Sequence, residues 1–259
     1  MGHASPYNAR RMPDTILVTG GVAKPHGGVA GGAGVRRSHA EAANPLGQAV
    51  RTALERAGYQ VRTADAIDLT DPATVVPLVQ GAHAIVHLAP RLVVETLKDR
   101  PGGDLLDVAA RGTHVLYKAA LEAGVTRAVQ ASTLAVMDAY DDDLEVTEQW
   151  RPRPAPEPRQ LAPYLAELVA REFTRDVQLE TPMDVICLRL AGFTHLAVDD
   201  AAQAIVGAVA KLREGGRRRG HRFRLYHVAP LTSEARYTSA LAQRELGYAT
   251  PSPSGKGQG

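Results

Sequence analysis

The sequence predicts a doubly wound, parallel α/β sheet, on three observations. Short continuous apolar runs, such as Ile16-Leu17-Val18 and Ala84-Ile85-Val86-His87-Leu88-Ala89, alternate with helical segments from Ile16 to Ser132. Strands covered on both faces read this way. The first run ends on Gly20-Gly21, and an apolar stripe at Leu46, Val50, Ala53, Leu54 and Ala57 follows at helical spacing. The next strand ends on Asp65. Strand, glycine turn, helix, strand and acid is the order that a dinucleotide-binding βαβ unit requires.

The first strand covers Ile16-Leu17-Val18, and a glycine-rich insert of roughly Val22 to Asn44 follows it. Asn44 suits an N-cap, Pro45 a first helical position, and Gly58 a C-terminal stop. Tyr59 to Ala64 is the second strand. Asp71 and Pro72 open a helix that runs to about Gln80 and ends at Gly81. The strand Ala84 to Ala89 stops at Pro90, and a helix covers about Asp104 to Ala123. Ala128 to Ser132 is the next strand. Asp138 to Pro163, with Asp141-Asp142-Asp143 and four spaced prolines, reads as an extended surface loop. Tyr164 to Gln178 returns to helix, and Val185 to Leu190 to strand. Asp199 to Leu212 is a helix, Phe223 to Val228 a strand, and Ser233 to Leu246 a helix that ends at Gly247.

With 259 residues and 44% hydrophobic content, the chain can bury one large α/β domain. A net charge of +2 argues against nucleic acid as the main partner. The basic cluster Arg217-Arg218-Arg219 with Arg222 lies between glycines and reads as a solvated loop. A single cysteine, Cys187, excludes an internal disulfide framework and sits in a buried run. No apolar stretch is long enough to span a bilayer, and Met1 to Pro13 lacks a signal peptide's apolar core. A soluble, cytoplasmic protein with no membrane partner is the expectation. His83 and His87 lie along a strand, where their spacing does not suggest a metal site.

Several further segments bear a family resemblance. They are Ile16-Leu17-Val18-Thr19-Gly20-Gly21, Asp68-Leu69-Thr70-Asp71, Val86-His87-Leu88-Ala89, Gly112-Thr113, Ala131-Ser132-Thr133, Tyr164, Leu188-Arg189 and Val198-Asp199-Asp200. In this order the chain resembles the extended short-chain dehydrogenase/reductases, the NAD-dependent epimerase/dehydratase family, over about Thr15 to Pro251. The resemblance implies a Rossmann-like sheet over residues 14–190, interrupted by the 22–44 insert. An irregular stretch (1–13) precedes it; a small, reduced substrate-binding region (191–250) and a flexible tail (251–259) follow. It implies NAD, with NADP less favoured because Asp65 would repel a 2′-phosphate. The expected cofactor contacts are Gly20, Gly21, Gly47, Asp65, Asp68, Leu69, Leu88 and Ala89. The expected catalytic groups are Thr133, with Ser132 beside it, to polarise the substrate oxygen and Tyr164 to carry the proton. A homodimer is implied through the helices near 104–123 and 164–178.

The sequence departs from the family pattern at four points. Leu168 stands where a Lys four residues after the Tyr is expected, and Ala109 where an Asn is expected. An unassisted tyrosine titrates near pH 10, so only about one in a thousand is ionised at neutral pH. Lys24, Arg91 and Arg189 are candidate replacements for the missing cation. The glycine turn is interrupted: Gly20 and Gly47 are its outer members and Asn44 the middle one, with Gly31-Gly32-Ala33-Gly34 and Arg37 as a competing register. In the preferred register the insert is a flap beside the cofactor cleft. Only Ala191 to Ala197 separates the Leu-Arg strand from the following helix, which favours a small substrate over a nucleotide-sugar. The leading expectation is an NAD(P)-dependent oxidoreductase or epimerase/dehydratase-like enzyme acting on a small carbonyl or alcohol. The alternatives are a non-catalytic dinucleotide sensor and a cofactor-independent lyase or cyclase.

Overall fold

The computed structural model describes residues 13–20, 44–64, 67–96, 101–175, 181–214, 222–230 and 236–249. Gly21, Asp65, the insert over 22–43 with Lys24 and the competing glycine register, Arg217 to Arg219, and both chain ends lie outside them.

Among the described residues six strands form one sheet: β1 (Thr15–Thr19), β2 (Gln60–Ala64), β3 (Ala84–His87), β4 (Arg127–Thr133), β5 (Asp184–Leu190) and β6 (Phe223–Val228). Every pairing is parallel, and the order is β2-β1-β3-β4-β5-β6. The doubly wound expectation is therefore met. Ile16 pairs with Val61 on one side and with Ala84 on the other. The chain steps from β1 one way to β2 and the other way through β3 to β6. The order reverses between β1 and β3, and in sheets of this kind a ligand binds outside the strand ends at that reversal.

Successive strand residues point to opposite faces, and each face has its own core. Ile16, Val18 and Val86 pack with Leu46, Val50 and Leu54 of α1 (Pro45–Arg56) and with Ile205 of α7 (Val198–Glu214). Leu17, Ile85 and Val185 pack with Val75 of α2 (Pro72–Val79), Leu116 of α5 (Thr113–Glu122) and Ala166 of α6 (Pro158–Phe173). The predicted caps are in place. Asn44 accepts from the Gly47 N–H, Asp71 accepts from the Ala73 N–H, and Gly247 takes the left-handed conformation after α8 (Ala240–Leu246).

Four elements differ from expectation. A helix, α3 (Ala89–Thr96), starts directly after β3, because Pro90 falls in a first turn, where its missing N–H removes no bond. The helix expected from Asp104 starts earlier, as α4 (Gly102–Leu106). It then widens into a π-helical turn, Asp107–Gly112, before α5. Helix α6 begins at Pro158 rather than Tyr164, with Pro163 inside it at the loss of one early backbone bond. Helix α8 begins at Ala240, after a non-helical stretch over 236–239, and the expected start at Ser233 lies outside the described residues.

Candidate active site and cofactor crevice

At the strand reversal, the Gly20 N–H donates to the Ala64 carbonyl at 3.2 Å, and Leu88 and Ala89 form a buried apolar floor. Helix α1 points its start at this crevice. A helix start normally offers several free N–H groups to a phosphate. Here Pro45 has none, and the Gly47 N–H is held by Asn44 Oδ1 at 3.2 Å. A Cβ on residue 47 would lie 2.9 Å from the Asn44 carboxamide, so glycine is what lets this cap close over the turn. Among the described residues only the Leu46 N–H remains outside the helix's own bonding. The crevice thus fits a dinucleotide in strand order, helix direction and floor, while a phosphate and the Asn44 side chain compete for Gly47. Asp68 Oδ1 already accepts from the Thr70 N–H (2.9 Å) and the Thr70 hydroxyl (2.6 Å). Leu69 is buried where Gly112 passes: a Cβ on residue 112 would lie 3.0 Å from the Leu69 Cβ.

Below the floor, His87 is wholly buried between Thr19 and Thr113. The Thr113 hydroxyl donates to the Ala109 carbonyl at 2.5 Å, so it must accept from His87 Nε2–H at 3.0 Å. Nδ1 then accepts from the Thr19 hydroxyl at 2.8 Å. Burial lowers the His87 pKa to about 3, and the ring is neutral. It is a packed structural histidine, and no group of three metal-ligating side chains occurs among the described residues.

A cleft of about 990 Å³ opens at the carboxyl ends of β4, β5 and β6, on the same edge of the sheet as the crevice. Thr133 lines it. Its Oγ1 accepts from the Ala135 N–H at 3.2 Å, which leaves the hydroxyl proton to point elsewhere. Asp138, Arg236 and Tyr237 line the opposite part. The Tyr237 hydroxyl donates to Asp138 Oδ1 at 2.9 Å, and Arg236 pairs with Asp142 at 2.7 Å and donates to the Tyr140 carbonyl. Burial and the Asp138 hydrogen bond push the Tyr237 phenol up, so it is a donor here and not a base. Sequence reasoning missed this cluster: Arg236 and Asp138 are 98 residues apart, and only the fold joins them.

Thr133 and Ser132 do not share a site. Ser132 points to the other face of β4, is fully buried, and donates to Glu167 Oε1 at 2.6 Å. Glu167 also accepts from Arg189 Nε (2.9 Å) and Nη2 (2.7 Å), a bidentate pair buried to within 2%. Burial works against the Arg189 charge, but its hydrogen bonds and charge pairing with Glu167 outweigh this and raise its pKa. Tyr164 is half-buried against Val136, Met137 and Val146 and is not on the cleft wall. Its electrostatic neighbour is Arg189, whose charge Glu167 already matches. Leu168, one turn on, is 36% exposed. Of the candidate substitute cations, Arg91 lines the cleft and Arg189 lies beneath it.

Cys187 is buried on β5, and burial first, then the Glu167 charge, pushes its thiol well above the ordinary range. The folded protein is expected to resist Ellman's reagent at pH 8, with the single cysteine reacting only in denaturant. Fast labelling without denaturant would show that β5 opens in the native state.

The model of the NAD dependent epimerase/dehydratase family matches residues 16–194. No protein of curated function matches the sequence. Among solved structures, the chain is similar to a glucuronic acid dehydrogenase from Chromohalobacter salexigens, at 19% identity and a TM-score of 0.64 over 93% of this chain and 85% of that one. It is similar to MoeE5 in complex with UDP-glucose and NAD, at 16% identity and 0.63 over 92% and 93%. It also resembles DesIV, a dTDP-glucose 4,6-dehydratase from Streptomyces venezuelae with NAD and TYD bound, at 18% and 0.60 over 92% of each chain. At these identities the likeness is one of fold. Among the described residues, no helix is long and apolar enough to cross a membrane.

Proposed function

Because the chain belongs to the NAD-dependent epimerase/dehydratase family, we propose that it is an NAD-dependent oxidoreductase-like enzyme that acts on a small carbonyl or alcohol in the cleft at Thr133. The observation that carries the reading is the position of Thr133. It ends a central strand, β4, one strand beyond the reversal, faces the cleft, and has a hydroxyl proton to give. That proton donates to the substrate oxygen and stabilises the charge that grows there as a carbonyl is reduced. NAD, when bound, takes or gives the hydride. Gly20, Gly47, Leu88 and Ala89 would frame it, with Asp68 and Leu69 beneath its adenosine end. Tyr164 packs off the cleft wall against Met137, so to supply or take the proton it would have to reach the substrate from α6; the absence of a Lys at Leu168 favours reduction, in which the phenol donates. Ser132 serves through the Glu167–Arg189 pair by fixing α6 against the sheet. The cleft volume is at the upper end of that usual for small-molecule sites. Size alone therefore admits a larger ligand than the short 191–197 segment suggested.

The test is a fluorescence titration with NADH and NADPH, followed by turnover on a carbonyl panel. NADH is expected to bind, and more tightly than NADPH. Thr133→Ala is expected to lower kcat by about 10²–10³-fold with a smaller effect on KM. Unchanged turnover in Tyr164→Phe would remove Tyr164 from the mechanism. NADH binding without turnover would instead support a sensor. The Asn44 cap favours one second reading, a lyase or cyclase that has given up the dinucleotide; absence of NADH binding, even in Asn44→Gly, would support it.

A further inference from the structure

We propose that His195 passes the proton to and from the substrate oxygen that Thr133 binds, in place of Tyr164. The inference deepens the oxidoreductase reading above and rests on it.

A carbonyl reduced in the cleft needs a proton as well as a hydride, and Tyr164 is not on the cleft wall. The side chains that do line the cleft divide by what they can do with a proton. Arginine does not give up its proton in proteins, which sets aside Arg91, Arg159 and Arg236. Hydroxyl and carboxamide groups polarise by hydrogen bonding but exchange no proton at neutral pH, which sets aside Thr133, Thr194 and Gln160. Burial and the Asp138 hydrogen bond push the Tyr237 phenol up, and its proton is directed at that carboxylate at 2.9 Å. Asp138, so engaged, is an acceptor. His195 is left, and imidazole is the side-chain group that both gives and takes a proton near neutral pH.

The local structure holds this exposed ring in place. Thr133 at the end of β4 is the register partner of Leu190 at the end of β5, so the segment that carries His195 starts beside it. The sheet runs on for one residue, where the Ala191 N–H donates to the Val228 carbonyl at 2.9 Å. A tight turn follows, in which the His195 and Leu196 N–H groups both donate to the Gly192 carbonyl at 2.9 Å. Leu196 is buried in the core, and Phe193 packs against the same core. The turn is therefore anchored on both sides of Thr194-His195, which are exposed and line the cleft. The His195 ring holds no hydrogen bond or ion pair among the described residues, so its proton is not committed to another group of the protein.

The transfers balance. In reduction the carbonyl carbon receives the hydride of the reduced nicotinamide, and the π pair moves to the oxygen. The oxygen, hydrogen-bonded to Thr133, takes a proton from the ring. The imidazolium becomes neutral imidazole, and solvent returns the proton to the exposed ring. Oxidation of an alcohol reverses each transfer, with the neutral ring as base. Such a group serves both directions and needs no Lys beside it, so Leu168 is no obstacle.

The test uses the full chain with NADH and a panel of D-glyceraldehyde, dihydroxyacetone, pyruvate and benzaldehyde. For any that is reduced, His195→Gln is expected to lower kcat about 10²-fold or more with little change in KM. Tyr164→Phe is expected to keep most of its turnover. His195→Ala is expected to regain turnover in proportion to imidazole added to the buffer, a rescue that a merely structural role would not give. A second readout needs no cofactor: the ring-proton NMR signals that vanish in His195→Gln are expected to shift when the same carbonyl is added to wild type. Because the side chain is exposed, both variants should match wild type in urea unfolding. Unchanged turnover in His195→Gln, a loss in His195→Ala that imidazole leaves untouched, or ring signals that the carbonyl does not move would overturn this inference and leave the oxidoreductase reading standing. No reduction of any panel member by wild type would remove that reading and this inference with it.

Discussion

Replacing Glu167 with Leu is expected to cost about 3–5 kcal/mol of folding stability, the usual range for stranding one partner of a buried ion pair. Arg189 is among the largest fully buried side chains, and its Nε and Nη2 both donate to Glu167. Its Nη1 has a sulfur neighbour, Met137 Sδ at 3.3 Å, which cannot compensate a charge. Without Glu167 the guanidinium must stay charged in an apolar setting or draw water into it. Ser132 also loses its acceptor. The double variant Glu167→Leu/Arg189→Met removes both charges and is expected to recover most of the loss, since an apolar replacement of a buried pair is often neutral or stabilising. Ser132→Ala should cost only about 1–3 kcal/mol, the value of one hydrogen bond to a charged group. Urea unfolding of the four proteins checks this. A loss below about 1 kcal/mol in Glu167→Leu, or a double variant no more stable than Glu167→Leu, would show that the pair does not act as a unit.

This pair also shows why the site was only partly legible in the sequence. Ser132 and Thr133 are neighbours and both hydroxylic, so in the sequence both suit the polarising of a substrate oxygen. In a strand, neighbours face opposite ways. Thr133 reaches the cleft, and Ser132 reaches the helix layer, where Glu167 occupies it. Nothing in the local pattern announces Glu167, because its partner Arg189 lies 22 residues away on another element. Arg236 and Tyr237 were hidden for the same reason. The fold was far more legible, because its signals are local: apolar runs, Asn44-Pro45, Asp71-Pro72, and glycines after helices. It was misread where proline has two meanings. In the sequence Pro90 reads as the end of a strand and Pro158 as part of an extended loop, yet both sit in first helical turns, where proline is favoured. The π-helical turn before α5 had no sequence signal; Gly112 at its end passes against Leu69, where a Cβ would lie 3.0 Å from the Leu69 Cβ.

The cofactor crevice illustrates a different gap. The positions of Gly20, Gly47, Leu88 and Ala89 follow from the βαβ order, and Asn44 reads from the sequence both as an N-cap and as the middle position of the glycine turn. What the sequence does not show is that these two roles compete: the cap satisfies the N–H that a phosphate would otherwise take. Asn44→Gly would cost the cap only a few tenths of a kcal/mol and free that N–H. This makes it the most informative single change at the crevice.

Acidification is expected to unfold the protein well before its carboxylates as a whole are protonated, because two histidines are buried in the neutral form. Burial lowers the His87 pKa to about 3. Burial and then the Arg189 charge lower that of His227 to about 3, against a weaker opposing effect of the Val146 backbone. In the unfolded chain both titrate near 6.5. The sign follows directly: between about pH 6.5 and 3 the unfolded state binds up to two more protons than the folded state, so stability falls as pH falls. Above pH 6.5 these two groups make no difference. Each pH unit lost within the window costs about 1.4 kcal/mol per histidine, so at pH 4.5 the pair is expected to have removed about 5 kcal/mol. That is comparable with the whole stability of many domains. His227 offers the cleaner test. Its ring stacks edge-on with Tyr237 at 6.1 Å, and neither ring nitrogen reaches hydrogen-bond geometry among the described residues. His227→Phe should therefore be near neutral or stabilising at pH 7.5, and should remove about half of the loss seen in wild type at pH 4.5. Urea unfolding at several values between pH 7.5 and 4.5 reads both slopes directly. A flat wild-type profile across the window, or an unchanged slope in His227→Phe, would mean that these histidines take up protons without opening the sheet that covers them.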